Sequence, residues 1–324
     1  MVEGSCDGCY SDGCSTAITK PIQLVSLWIE PVVEEMRGDM QISFECESCG
    51  RRYKVDEAKV GQSAKCRDCG SDIRVPVPAP PAEESPSGSP IYRHEDRERD
   101  FELAIGDEET IDAITAHIEE HIGEIDQVWH ELISDLVHID VHQIPPSEDR
   151  PFWTLVTSGM SDKPMTVPEG AEDFAHAELM ICLPEEWPVS QEDFNDENNY
   201  WPVRLLKVLA RLPHEYETWL GPGHTVPNGG EDATPYADNN SFVCALMLSP
   251  GLVLPSEVAV LDLPDGRKIN FYAVWPMHQS EVDLKLKRGL DALLDQFEKH
   301  QVTELLDLNR PAVVVSKPWW KFWG

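Results

Sequence analysis

The chain has 324 residues, 41% of them hydrophobic, enough for one sizeable core and a small companion unit. Its formal net charge is −33, and residues 101–310 alone carry 40 acidic against 12 basic side chains. Such a surface repels nucleic-acid phosphates and suits a basic protein partner or plain solubility.

The longest uncharged stretch, 239–256, is interrupted by Asn239, Asn240, Pro250, Gly251 and Pro255, so no membrane span is expected. The N-terminus lacks a basic start followed by an apolar run, so no signal peptide is expected and the chain reads as cytoplasmic. Nine cysteines in that setting point to metal ligands rather than disulfides.

Residues 1–39 hold Cys6, Cys9 and Cys14 without a fourth ligand nearby, and Met40 immediately precedes a well-formed module. This leader reads as a mis-called extension or a disordered tail. Residues 40–75 then place Cys46, Cys49, Cys66 and Cys69 in two C-x-x-C turns, each followed by glycine, Gly50 and Gly70. Four thiolates so spaced hold one structural Zn2+ with closed coordination. A unit of about 35 residues has little core, so the metal would supply folding energy. From "FECESCG" through "KCRDCGSDIRVP" the stretch resembles a short bacterial zinc-ribbon family found at protein N-termini. Its charge is nearly balanced, which favours a structural or protein-docking ribbon over one that binds nucleic acid.

Residues 76–100 read as a Pro/Ser-rich charged linker. The main domain is expected over 101–310. Ile111, Ile114, Ile118, Ile122 and Ile125 recur at helical spacing. Strand-like runs follow at 136–142, 152–158, 174–183, 242–248, 257–263 and 269–275. "WPVRLLKVLARL" reads as a helix with Pro202 near its first turn, and 281–300 as another with Leu286, Leu290, Leu293 and Phe297 inward. The expected class is α+β, a mixed sheet flanked by helices and preceded by a small β-rich zinc ribbon. Residues 311–324 form an aromatic-basic tail, "KPWWKFWG", read as docking on this chain or a partner, or as mobile.

Three patterns invite chemistry. In "HIDVHQIPP" an extended chain puts His138, Asp140 and His142 on one face, where they could bind zinc or iron. The plainer reading is a solvated strand face opposite Val137, Ile139 and Val141. "HIEEH" fits a metallopeptidase pattern with His117 and His121 as ligands and Glu120 as base, and this sequence names no third ligand. "TSGMSD" is not a hydrolase elbow, and "GPGHTVPNGG" lacks the lysine of a phosphate loop. No enzyme is expected.

In order, "HELISDLVHIDVHQIPP", "FWTLVTSGMSDKPM", "AHAELMICLPEEWP", "WPVRLLKVLARLPHEYETWLGPGHTVPNG", "ALMLSP" and "GRKINFYAVWPMHQSEVDLKLKRGLDALL" resemble the suppressor of fused family over about residues 110–310. The resemblance implies a mixed sheet with flanking helices, no enzymatic activity, and binding of a protein partner. Animal members restrain a transcription factor by accepting an extended peptide; bacterial members are thought to be immunity proteins against toxins. It also implies that "HIDV" is strand rather than metal site, and carries partner-binding roles onto Asp162 and Glu178. Glu178 stands out independently, since Phe174, Met180 and Cys182 accompany it on its strand face, and it reads equally as a buried acid paired internally. Animal members add a second lobe; this chain stops soon after Arg310, which counts against a two-lobed clamp and leaves strand addition at an exposed sheet edge open. Three functions follow: a module that neutralises a protein partner such as a basic toxin, a regulatory adaptor whose ribbon docks a second protein, and, most remotely, a metallohydrolase using His117, Glu120 and His121.

Overall fold

A computed structural model describes residues 26–28, 41–46, 48–56, 63–74, 83–94, 99–131, 133–229 and 232–314. The strands are β1 Ser26–Trp28, β2 Gln41–Glu45, β3 Arg52–Asp56, β4 Ser63–Lys65, β5 Asp72–Arg74, β6 Glu83–Glu84, β7 Pro90–Arg93, β8 Gln127–Trp129, β9 Asp140–Ile144, β10 Phe152–Ser158, β11 His176–Pro184, β12 Thr225–Pro227, β13 Phe242–Leu248, β14 Val260–Asp262 and β15 Lys268–His278. The helices are α1 Glu108–His121, α2 Glu197–Tyr216, α3 Gln279–Arg288 and α4 Leu290–Lys299.

The class is α+β. An 11-stranded sheet runs β6-β7-β1-β12-β13-β15-β11-β10-β9-β8, with β14 also on β15. Its pairs are antiparallel except β11 with β15, where Leu179 faces Tyr272. Alternation along β11 sends Ala177, Leu179, Ile181 and Leu183 into one core under α2, and Met180 and Cys182 into the other under α1, α3 and α4. With both faces covered, the central strands are apolar on both sides.

Helix α2 starts earlier than expected, at Asp196, whose carboxylate caps the Asn198 N–H at 2.9 Å. Pro202 therefore lies inside the helix and withholds a donor from the Asn198 carbonyl. The Asn239 side-chain amide fills that place at 3.0 Å. The single helix expected over 281–300 is two, because Gly289 sits at φ 88°, ψ 171°, a conformation that breaks the helix and that glycine adopts freely. Leu293 and Phe297 are buried, with Leu286 and Leu290 packed beside them.

The stretch read as a linker contributes β6 and β7 to the large sheet, and β1 pairs with β7 and β12. The rest of the 1–39 leader, and residues 315–324 of the tail, lie outside the described residues. Before them, Val313 is buried and its N–H donates to Glu281 at 3.0 Å. In the ribbon, hairpins β2–β3 and β4–β5 each carry one C-x-x-C turn, closed by Gly50 at φ 70° and Gly70 at φ 75°.

Candidate functional site

The two ribbon turns converge. Cys46, Cys49, Cys66 and Cys69 present thiols within 4.8 Å of one another, and among the described residues they are the one group of three or more candidate ligands. Cys46 and Cys66 are buried, while Cys49 and Cys69 are exposed. A sulfur-only tetrad of this size fits a soft divalent ion and leaves no position for a reacting water.

The "HIDVH" residues serve a different purpose from either expectation. Leu136 takes φ 65°, so the strand begins only at Asp140 and His138 precedes it. Asp140 and His142 do share a strand face, but it is buried rather than solvated, at 5% and 3% exposure. Asp140 meets His130 Nδ1 at 2.8 Å and His138 Nε2 at 3.2 Å, and accepts from the Glu131 N–H at 3.2 Å. His138 Nδ1 reaches the Ser134 hydroxyl at 2.8 Å, which also bonds Glu131 at 2.7 Å. Glu131 in turn accepts from Arg211 of α2 on both oxygens, at 2.7 and 2.6 Å. The polar groups are thus consumed in fastening His130, Glu131, Ser134 and His138 to β9 and α2. His142 bonds Ser158 at 2.9 Å, and burial holds its pKa down to about 4.

The "HIEEH" residues form packed helix surface. His117 Nε2 bonds the Val258 carbonyl at 3.1 Å, and its ring stacks on Phe271. Glu120 is exposed, and these three residues join no ligand cluster.

Glu178 does not reach the surface. It is 0% exposed, which fits the internally paired acid and not a side chain that faces a partner. One carboxylate oxygen accepts from the Ser161 N–H at 2.9 Å and the Ser161 hydroxyl at 2.6 Å; the other accepts from the Thr157 hydroxyl at 2.6 Å. Burial outweighs these bonds and pushes its pKa up to about 7. Its task is to hold the turn Gly159–Asp162. His176 and His214 meet the Ser161 and Met160 carbonyls of the same turn, at 2.8 and 2.9 Å. Asp162 emerges from this turn half-buried, and burial raises its pKa to about 6.

What Asp162 and its neighbour hold is a strap that the sequence reading did not anticipate. Asp162 accepts from the Asp107 N–H at 3.1 Å, and Lys163 pairs with Glu102 at 2.5 Å. Between those anchors the chain runs extended along residues 133–136. Ala104 N–H donates to Ser134 at 3.1 Å, Leu136 N–H donates to Glu102 at 2.9 Å, and Leu103 bridges Asp135 antiparallel. That register sets Ile105 opposite Ile133. Phe101, Leu103, Ile105 and Ile133 are 61%, 64%, 85% and 77% exposed. Asp100, Glu102, Asp107, Glu108 and Glu109, all exposed, neighbour them along the chain. The alternation in "FELAI" was a legible sign of an extended segment, but not of which way its apolar face turns.

An open groove of about 700 Å³ lies between Pro184, Trp187 and Pro188 and the loop Leu305–Leu308. Among the described residues no helix is long and apolar enough to cross a membrane.

The sequence profile of the family described as Suppressor of fused protein (SUFU) matches residues 135–311. Among solved structures, a suppressor of fused homologue from Neisseria gonorrhoeae is 19% identical, with a TM-score of 0.47 over 64% of this chain and 99% of that one. The protein in a Sufu-Fu complex is 13% identical, with a TM-score of 0.43 over 63% of this chain and 92% of that one. Drosophila suppressor of fused is 14% identical, with a TM-score of 0.39 over 63% of this chain and 51% of that one. No curated protein sequence matches significantly.

Proposed function

The chain belongs to the suppressor of fused family, and we propose that its large domain is a non-enzymatic module that restrains a protein partner by covering the partner's working surface. The partner class we favour is a basic toxin, with this chain as the immunity protein. The observation that carries the reading is the strap: four large apolar side chains stand exposed along a segment that also carries exposed acidic residues. An exposed apolar patch flanked by charge marks a contact surface, and the acidic field speeds capture of a basic target. Asp162 supports that surface and lies at its margin, where it can take part in contact. Beside this domain the ribbon, residues 40–75, holds one structural zinc through its four cysteines. We place the protein in a reducing compartment, where those thiols stay available to the metal.

The test pairs this chain with a toxin encoded beside its gene. Co-expression is expected to restore growth, and Leu103→Lys with Ile133→Asp to abolish both protection and complex formation while leaving the thermal transition in place. Protection that survives both substitutions would remove the strap from the interface. Protection or binding lost on Cys46→Ser, with the strap intact, would favour the adaptor reading in which the ribbon docks a second protein.

A further inference from the structure

The four ribbon thiols are not equivalent. Tyr53 donates its hydroxyl to Cys66 Sγ at 3.1 Å, and is itself fixed by the Arg67 N–H at 2.9 Å. The Ser71 hydroxyl lies 2.7 Å from Cys69 Sγ and 3.4 Å from Cys46 Sγ. Three sulfurs therefore have a hydroxyl neighbour. Cys49 has none among the described residues, where the Arg51 backbone N–H is what bonds its sulfur; it lies 3.6 Å from Cys66 Sγ and is exposed.

A metal-bound thiolate keeps nucleophilic lone pairs. A hydrogen bond to the sulfur draws charge away and blunts attack, while burial blocks the approach of a reagent. Cys66 is protected both ways, Cys46 by burial, and Cys69 by the one Ser71 proton, which the shorter distance assigns to it. We infer that Cys49 is a modification site, the zinc ligand that reacts first with peroxide or an alkylating electrophile, with Cys66 as its resolving partner. The inference rests on the ribbon holding zinc.

With hydrogen peroxide, the Cys49 thiolate attacks one oxygen. An S–O bond forms, the O–O bond breaks, and the departing hydroxide takes a proton to become water. Cys66 thiolate then attacks Cys49 Sγ; the S–S bond forms, the S–O bond breaks, and a second hydroxide leaves as water. Two thiolates supply the two electrons that reduce the peroxide. The metal loses two of four ligands, and with them the energy that folds the ribbon.

The experiment uses the full zinc-loaded chain, its metal content measured first. Substoichiometric iodoacetamide followed by peptide mapping is expected to label Cys49 several-fold ahead of Cys69, and at least about tenfold ahead of Cys46 and Cys66. Ser71→Ala is expected to bring Cys69 labelling up to that of Cys49. Peroxide is expected to release zinc to a chromogenic chelator and to give a Cys49–Cys66 disulfide. Tyr53→Phe should hasten zinc release by about tenfold or more. A chain that purifies without zinc defeats the metal reading itself. A zinc-loaded chain whose Cys69 labels as fast as Cys49, or whose first disulfide omits Cys49, overturns this inference and leaves the metal reading standing.

Discussion

Replacing Glu178 by Gln tests whether the turn under the strap depends on a buried, titrating acid. The substitution keeps shape and one carbonyl oxygen, which can still accept both Ser161 donors. The new amide nitrogen then faces Thr157 with two protons where the neutral native acid has one; the first meets the Thr157 oxygen, which also accepts from the Leu179 N–H at 2.8 Å, and the second is left without an acceptor. That costs about 1–2 kcal/mol at low pH, where the native acid is neutral. The balance shifts as pH rises. Folding raises the Glu178 pKa from 4.5 to about 7, so between those values the native state binds more proton than the unfolded chain. Native stability therefore falls with pH across that window, by up to roughly 3 kcal/mol. Glutamine does not titrate. Urea melts followed by tryptophan fluorescence should show the native protein more stable than Glu178→Gln at pH 5 and the order reversed by pH 8. Subtracting the two proteins largely cancels His142, whose lowered pKa makes native stability fall as pH drops below 6.5. A difference that stays flat from pH 5 to 8 would mean that Glu178 is ionised throughout, and would refute the argument.

Three further outcomes are expected. Arg310→Met leaves the Glu281 carboxylate, 0% exposed, without the guanidinium that reaches both its oxygens; a loss of roughly 3–5 kcal/mol in urea melts is expected, and a loss below about 1 would refute the pairing's importance. Gly159→Ala sets a Cβ 1.8 Å from the His138 carbonyl at φ 99°, so soluble yield should collapse or stability fall by more than about 4 kcal/mol, as thermal melts would report. Metal analysis should find one zinc per chain, lost on Cys46→Ser and retained on replacement of His117 or His121 by Ala; zinc lost from either histidine variant would reopen the hydrolase reading.

Periodicity was enough for the elements whose two faces differ or whose core is continuous. Strands 152–158 and 242–248 match β10 and β13 to the residue, and the isoleucine stripe predicts α1 apart from its end, since Ile122 and Ile125 lie beyond the last turn. The four cysteines were legible because ligand spacing is a local property. What failed depends on contacts distant in sequence. The position of Pro202 inside α2 depends on Asn239, some forty residues away, supplying the missing donor. The burial of the "HIDVH" polar groups depends on His130, Glu131 and Ser158 meeting them, and nothing between residues 138 and 142 encodes that. Glu178 was rightly marked as anomalous among apolar neighbours. Its partners, Thr157 of β10 and Ser161 of the turn that follows, lie about twenty residues upstream in sequence and alongside in the topology.

Those misplaced polar residues narrow where function can lie. A carboxylate that accepts three hydrogen bonds, or a histidine fixed between a serine and an aspartate, is already satisfied and has little capacity to bind or turn over a substrate. Both faces of the central sheet are covered by helices, so its side chains cannot meet a macromolecule without unpacking a core. Contact then falls to the margins. There the buried network changes meaning: Glu178 fixes Ser161, the same turn presents Asp162 and Lys163, and these pin the two ends of a strap whose apolar side chains point outward. Exposing four large apolar groups to water is unfavourable unless something covers them, and holding them in one register reduces the entropy a partner must overcome on binding. If that reasoning holds, Glu178→Gln should weaken partner binding more at pH 5 than at pH 8, in step with its effect on the turn, although the side chain never touches the partner. Binding that ignores the substitution at both pH values would separate the turn from the docking surface.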